Sequence, residues 1–187
     1  MLARQDSEML LGIARDAIAR ELGLSQAKSV VPHSGPLAAA SGAFVTLHRE
    51  GRLRGCIGYI ESPDPLAEVV RAAATKAAVQ DPRFSPLSRN EFRSIVIEIS
   101  VLSTPNRITD VATIEIGRDG LIVELGFARG LLLPQVAIEQ RWDRLKFLEN
   151  TCVKAGLPGD AWMDPACKLY AFQAEVFAEF ESHEVAR

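Results

Sequence analysis

An α+β fold, with a mixed or mostly antiparallel sheet and helices packed on it, is what this sequence predicts. Three observations predict it: alternating apolar runs joined by short turn sequences, amphipathic segments of helical period between them, and no regular strand–helix–strand repeat of the doubly wound kind. The chain has 187 residues, of which 48% are hydrophobic and 24% charged. That length and balance normally make one domain, or two small halves sharing a core.

The elements follow in order. Leu10, Leu11, Ala14, Ala17, Ile18 and Leu22 recur at helical spacing and predict a helix over Asp6 to Leu22, ended by Gly23. A loop with Pro32 and Pro36 follows. Gly42 to Ile60 reads as a hairpin, with Arg49-Glu50-Gly51-Arg52 as its turn and Gly51 free to take positive φ. Asp64-Pro65 opens a second helix whose inner face is Leu66, Val70, Ala73 and Ala77, and Asp81-Pro82 stops it. Ser88 to Glu91 matches a capping box and predicts a short turn of helix. Ile95 to Leu102 is the clearest strand, with Ile95, Ile97, Ile99 and Val101 on one face and Val96, Glu98 and Ser100 on the other. Ile114–Ile116 and Leu121–Leu125 read as a second hairpin, turned by Gly117 to Gly120. A helix from Asp143 to Ala155, ended by Gly156, and a final strand from Lys168 to Phe180 complete the chain.

Composition narrows the function classes. The net charge is −3 and Lys and Arg are scattered, so no basic stripe for nucleic acid is expected. No apolar run approaches the roughly 18 residues a membrane span needs. Three widely spaced cysteines, Cys56, Cys152 and Cys167, argue against a disulfide framework. With a polar start lacking a leader pattern, they point to a reducing, cytoplasmic setting. His33, His48 and His183 lie in no zinc-like spacing with the cysteines, so neither a metal nor a cofactor is read from the sequence. A monomer or homodimer is expected.

The most chemically loaded segment is Leu53-Arg54-Gly55-Cys56-Ile57-Gly58. Alternation places Arg54, Cys56 and Gly58 on one strand face. Glycines inside a strand mark a bulge, a close backbone approach or a ligand. A guanidinium beside a thiol favours the thiolate, which suits a nucleophile or an anion-binding floor. The plain alternative is that Cys56 is a small core residue. With the turn at Glu50-Gly51, Val45 falls opposite Cys56 and His48 opposite Leu53, which sends His48 to the other face. Glu98 and Ser100 either meet water or line a pocket beside Cys56, with Arg54 or Arg83 as the partner of Glu98. Asp81 and Arg83 read as a local ion pair, or Arg83 reaches the Cys56 pocket as an anion ligand. Cys152 and Cys167 read as core packing.

Gly42-Ala-Phe-Val-Thr-Leu, Leu53-Arg-Gly-Cys-Ile-Gly58, Asp81-Pro-Arg-Phe84, Leu132-Leu-Pro-Gln-Val136 and Lys154-Ala-Gly-Leu-Pro158 together resemble the AMMECR domain family. The resemblance covers residues 8 to 181, read as a single domain or two intimately packed subdomains, with tails at 1–7 and 182–187. It implies an α+β fold with a larger and a smaller subdomain. It also implies genes that neighbour or fuse with a Memo-type protein, similar to extradiol dioxygenases, and a radical SAM protein, as in the AmmeMemoRadiSam system. No settled activity comes with it.

Two functions follow as expectations. In the first, Cys56 is a catalytic thiol on a small or peptide substrate and Glu98 a proton carrier, with Arg54, Gly55, Gly58, Arg83 and Ser100 lining the site. In the second, the same strand is a non-catalytic ligand-binding or adaptor surface for the Memo-type and radical SAM partners.

Overall fold

The computed structural model describes residues 2–26, 31–32 and 34–179. His33 and His183 lie outside the described residues. Among the described residues there are four α-helices and seven strands, and the strands pair antiparallel. The α+β expectation holds.

The chain divides into two compact units, one of Met1–Val101 with Glu175–Arg187 and one of Leu102–Ala174. The first unit begins with α1 (Arg4–Glu21), two residues earlier than periodicity predicts. Strand β1 (Ala43–Arg49) and strand β2 (Arg52–Tyr59) form the expected hairpin. Glu50 and Gly51 both take positive φ, 53° and 70°, the geometry a tight two-residue hairpin turn requires. Helix α2 (Leu66–Val79) follows, then β3 (Ile95–Leu102), whose bounds match the sequence reading.

Ser88 to Ser94 form turns and not the short helix the capping pattern predicts. Glu91 does reach back to the Ser88 amide, 2.9 Å, but its carboxylate also holds Arg54 and Arg49. Those side-chain ties replace the helical ladder.

Sheet order in this unit is β2-β1-β3, so β2 is an edge strand. Its core is one face of that sheet against α1 and α2. Val45, Leu47, Ile97 and Ile99 meet Leu10, Ile13, Val70 and Ala73, all almost fully buried. Small residues on α2 bring the helix close to the strands. At Gly55 a Cβ would overlap the Ala77 carbonyl, so only glycine allows that approach. The C-terminal segment is fastened here as well. Glu179 pairs with Arg15 and accepts the Ile97 amide at 2.9 Å, and Arg15 donates to the carbonyls of Phe92 and Ile95.

The second unit contains β4 (Asn106–Ile108), β5 (Asp119–Leu125), β6 (Ala128–Leu132), α3 (Pro134–Glu139), α4 (Arg144–Lys154) and the first part of β7 (Lys168–Ala178). The predicted hairpin over Ile114–Leu125 is corrected. β5 pairs with β6 through a turn at Gly126-Phe127, and Ile114–Ile116 is not a strand. The buried Asp119 carboxylate accepts the Glu115 amide at 2.9 Å and holds Arg118, which closes residues 115–119 into a turn. Asp143 caps α4 by accepting the Lys146 amide. Phe147, Leu148 and Cys152 on α4 pack on Leu121, Val123 and Leu169, with Trp142, Trp162 and Cys167 at the margin. Cys152 is fully buried, and burial pushes its thiol up from the ordinary value.

Candidate functional site

The site starts from a register shift. β1 and β2 pair Thr46 with Cys56, Leu47 with Gly55, and then His48 with Leu53. One extra residue, Arg54, stands on β2 between the last two pairs, which is a β-bulge. Regular alternation through this point would place Val45 opposite Cys56. The bulge corrects that register. Thr46 is opposite Cys56, so β1 residues 44, 46 and 48 share the Cys56 face. His48 is therefore on the same face as the thiol and not the opposite one.

β1 also pairs with β3, setting Thr46 against Glu98, Phe44 against Ser100 and His48 against Val96. Three cross-strand rows result on the face turned away from α1 and α2: Leu53–His48–Val96, Cys56–Thr46–Glu98, and Gly58–Phe44–Ser100. Cys56 is half-buried, and its sulfur accepts a hydrogen bond from the Thr46 hydroxyl at 3.3 Å. Phe44 lies across Gly58, where any Cβ would overlap the ring, so that glycine makes room for an aromatic floor. Among the described residues the His48 imidazole, the Glu98 carboxylate and the Ser100 hydroxyl make no hydrogen bond or ion pair. Ser100 is only 1% exposed. Among the described residues the buried side-chain polar atom left without a hydrogen-bond partner is Arg49 Nε, at the margin of the sheet.

The outer edge of β2 is closed by the segment after α2. The Cys56 amide donates to Asp81 Oδ2 at 2.8 Å, and Arg83 Nη2 donates to the Cys56 carbonyl at 3.2 Å. Arg83 itself grips Asp81 through Nε, 2.9 Å, and Nη2, 2.7 Å. One carboxylate and one guanidinium thus supply the acceptor and donor that a further strand would have supplied. Asp81 is nearly fully buried, and the Arg83 guanidinium holds its carboxyl well below the usual carboxylate range, against the opposing effect of burial. Arg83 is raised above its ordinary value, chiefly by Asp81, and the Cys56 side chain adds to the effect. Both sequence readings of Arg83 therefore meet in one residue: a local ion pair that also sits beside Cys56.

Arg54 does something different from what its position next to Cys56 predicts. Its Nε and Nη2 bind the Glu91 carboxylate at 2.9 and 3.2 Å, and Nη1 donates to the Ser85 carbonyl at 3.0 Å. Both partners of this ion pair are largely buried, and Arg54 lowers Glu91 to about 2. Arg83, and not Arg54, is the guanidinium next to Cys56. With Arg54 tied to Glu91 and Arg83 to Asp81, neither serves Glu98, which corrects the expected pairing of that carboxylate.

The fold thus gathers Cys56, Glu98, Ser100 and Gly58 on one face, with Arg83 at its edge. It turns Gly55 to the helix side and Arg54 to Glu91. Thr46 and His48 join the site unforeseen, because the bulge that brings them there carries no sequence signal beyond the glycine at its side. Asp81 was visible only as half of an ion pair. Among the described residues no group of three or more His, Cys, Asp or Glu could hold a metal ion, and no helix is long and apolar enough to cross a membrane.

The geometry has counterparts. A protein from Methanothermobacter thermautotrophicus is 46% identical over 186 residues, covering 95% of this chain and 96% of the relative. One from Methanopyrus kandleri is 43% identical over 189 residues, covering 96% and 91%. The crystal structure of an uncharacterised protein from Pyrococcus horikoshii matches with a TM-score of 0.87 at 42% identity, over 95% of this chain and 93% of that one. The AMMECR1 family model matches residues 11–177, a stretch that contains the bulged strand, the Asp81–Arg83 clasp and every residue of the three rows, and the chain belongs to the AMMECR1 family.

Proposed function

We propose that this AMMECR1-family chain carries out thiol-dependent chemistry on a small or peptide substrate, with Cys56 as the reacting group. One observation carries the reading. Around the sheet margin each charged side chain has an ion-pair partner, Arg54 and Arg49 with Glu91 and Arg83 with Asp81, even though Arg49 Nε itself has no hydrogen bond, whereas the imidazole, carboxylate and hydroxyl on the Cys56 face have no partner among the described residues. Unmatched groups of three chemistries on one face suit a substrate better than they suit stability. Arg83 has its Nη1 uncommitted among the described residues and its side chain about half exposed, so it suits an anionic group of that substrate. The three widely spaced cysteines point to a cytoplasmic setting, and a Memo-type protein and a radical SAM protein are the partners that the family resemblance implies.

Limiting iodoacetamide followed by peptide mapping tests the reaction half of this proposal. Cys56 is expected to label before Cys152 and Cys167, and faster near pH 7 than the same thiol in urea. Equal rates for folded and unfolded Cys56 would remove the enzymatic reading.

A second reading is favoured by one specific contact pattern. Arg54 is bound to Glu91, and the hydrogen bond to the Cys56 sulfur comes from Thr46, a neutral hydroxyl. That arrangement also serves a non-catalytic ligand-binding or adaptor surface for the same two partners. Co-purification with each partner, using Cys56→Ser, separates the two: an adaptor keeps both the binding and its cellular role without the thiol.

A further inference from the structure

We infer that His48 is the proton acceptor for the Cys56 thiol, with Glu98 positioned to orient its imidazole. The inference rests on the reading of Cys56 as a nucleophile and adds the base that reading lacks.

Three structural facts carry it. First, the bulge at Arg54 rotates His48 onto the thiol's face, one row from Cys56. Second, the Thr46 hydroxyl donates to the Cys56 sulfur, so the thiol's own hydrogen is left to find another acceptor. Third, the imidazole has no hydrogen bond among the described residues, and neither does the Glu98 carboxylate, which stands in the same diagonal relation to His48 across β1 and β3.

Distance chooses between the two acceptors. Glu98 is two strand spacings from Cys56, about 10 Å between backbones. The diagonal from Cys56 to His48 is about 7–8 Å, a separation that a ring side chain spans or closes through one water. Imidazole is also the side-chain type suited to exchange a proton near neutrality. Facing Cys56 from other elements are Glu98 on β3 and the Asp81–Arg83 pair after α2; Arg49 and Arg54 are each bound to Glu91 at the margin.

In the step this predicts, the sulfur forms a bond to an electrophilic carbon, that carbon's leaving group departs with its electron pair, and the thiol proton passes to His48 and from there to the leaving group or water. Iodoacetamide reports it directly: an S–C bond forms, the C–I bond breaks and iodide leaves. For His48→Asn and His48→Gln, the labelling rate of Cys56 near pH 7 should fall at least about tenfold, while near pH 10, where hydroxide can ionise any thiol, it should stay within about twofold of the unsubstituted chain. Added imidazole should restore part of the lost rate. An unchanged ratio between the two pH values in a folded variant overturns the inference and leaves the thiol proposal standing. Equal rates for folded and urea-unfolded Cys56 in the unsubstituted chain overturn the thiol proposal itself. Should neither variant fold, the unsubstituted chain decides. A single ionisation matching that in urea overturns the role of His48, and an additional limb at lower pH, absent in urea, supports it.

Discussion

On the face of the first unit's sheet that meets α2, Leu47, Gly55 and Ile97 are buried among helix side chains, and the backbones approach so closely that Gly55 has no room for a methyl group. One residue along each strand, on the opposite face, Thr46, Cys56 and Glu98 form a row with, among the described residues, a single side-chain hydrogen bond, flanked by an imidazole and a hydroxyl that have no partner there. The same hexapeptide contributes to both. Its glycines and arginine hold the strand in place: Gly55 against the helix, Gly58 under Phe44, Arg54 on Glu91. Its cysteine is the residue whose side chain is left for something else. A motif that looks like one functional signature is thus several structural requirements surrounding one chemical group, and substitutions should separate them.

The largest effect is expected at Gly55. A methyl group there would meet the Ala77 carbonyl, which belongs to the α2 backbone and cannot rotate away. Moving the helix would disturb its contacts with both β1 and β2. Gly55→Ala should destabilise the chain by at least about 3 kcal/mol, the upper range for overpacking, seen as a lowered urea midpoint with little change in slope. A loss below about 1 kcal/mol would mean that the helix-covered face is loosely packed and that the contrast between the faces is overstated.

The margin of the sheet comes next, through Glu91. Its carboxyl lies at about 2 in the folded chain against an ordinary 4.5, first because Arg54 hydrogen-bonds it, with burial opposing. Between those values the unfolded chain binds the proton that the folded chain refuses. The stabilisation is therefore complete above about pH 4.5 and is lost as pH falls toward 2, up to about 3 kcal/mol over that window. Urea titrations stepped from pH 5 to pH 2 should show this loss. Glu91→Gln should be less stable at pH 5 and should lose less on acidification. Parallel acid limbs in both chains would show that Arg54 gains nothing from Glu91, and would return that guanidinium to consideration as a partner of the thiol.

What was legible in the sequence follows the same division. Strand β3 was readable to the residue, because one uniformly apolar face, Ile95, Ile97, Ile99 and Val101, alternates with a face broken by Glu98 and Ser100. Helix α4 was readable because Asp143 and Gly156 mark its ends. The β5–β6 hairpin was misplaced, because Gly117-Arg118-Asp119-Gly120 has the composition of a hairpin turn. The buried Asp119 carboxylate makes it a different one, and Gly126-Phe127 offers only half the usual signal. At the site, simple alternation puts Glu98 and Ser100 on one face of β3, with a pocket beside Cys56 as one of two readings of that face. His48 was lost for the same reason: period-two counting is correct until a bulge interrupts it, and a bulge is settled by tertiary ties such as Arg54 to Glu91, whose two residues lie 37 positions apart.

The smallest expected effect is the most pointed one. Ser100 is 1% exposed and its hydroxyl makes no hydrogen bond among the described residues, yet Arg49 Nε, and not the Ser100 oxygen, is the buried side-chain polar atom left without a partner there, so little is held or lost at this hydroxyl. Ser100→Ala removes one oxygen, leaves its pairing with Phe44 in register, and should change stability by no more than about 1 kcal/mol. On the helix-covered face a change of one heavy atom, at Gly55, is expected to be severe; on this face it should be small. The measurement is again the urea midpoint, paired with iodoacetamide labelling of Cys56, which should stay near the unsubstituted rate because Ser100 is two rows from His48. A loss of more than about 1 kcal/mol would mean that the hydroxyl is satisfied in the folded chain in solution. The face would then be a polar layer of ordinary construction, and the case for a substrate there would rest on Cys56, His48 and Glu98 alone.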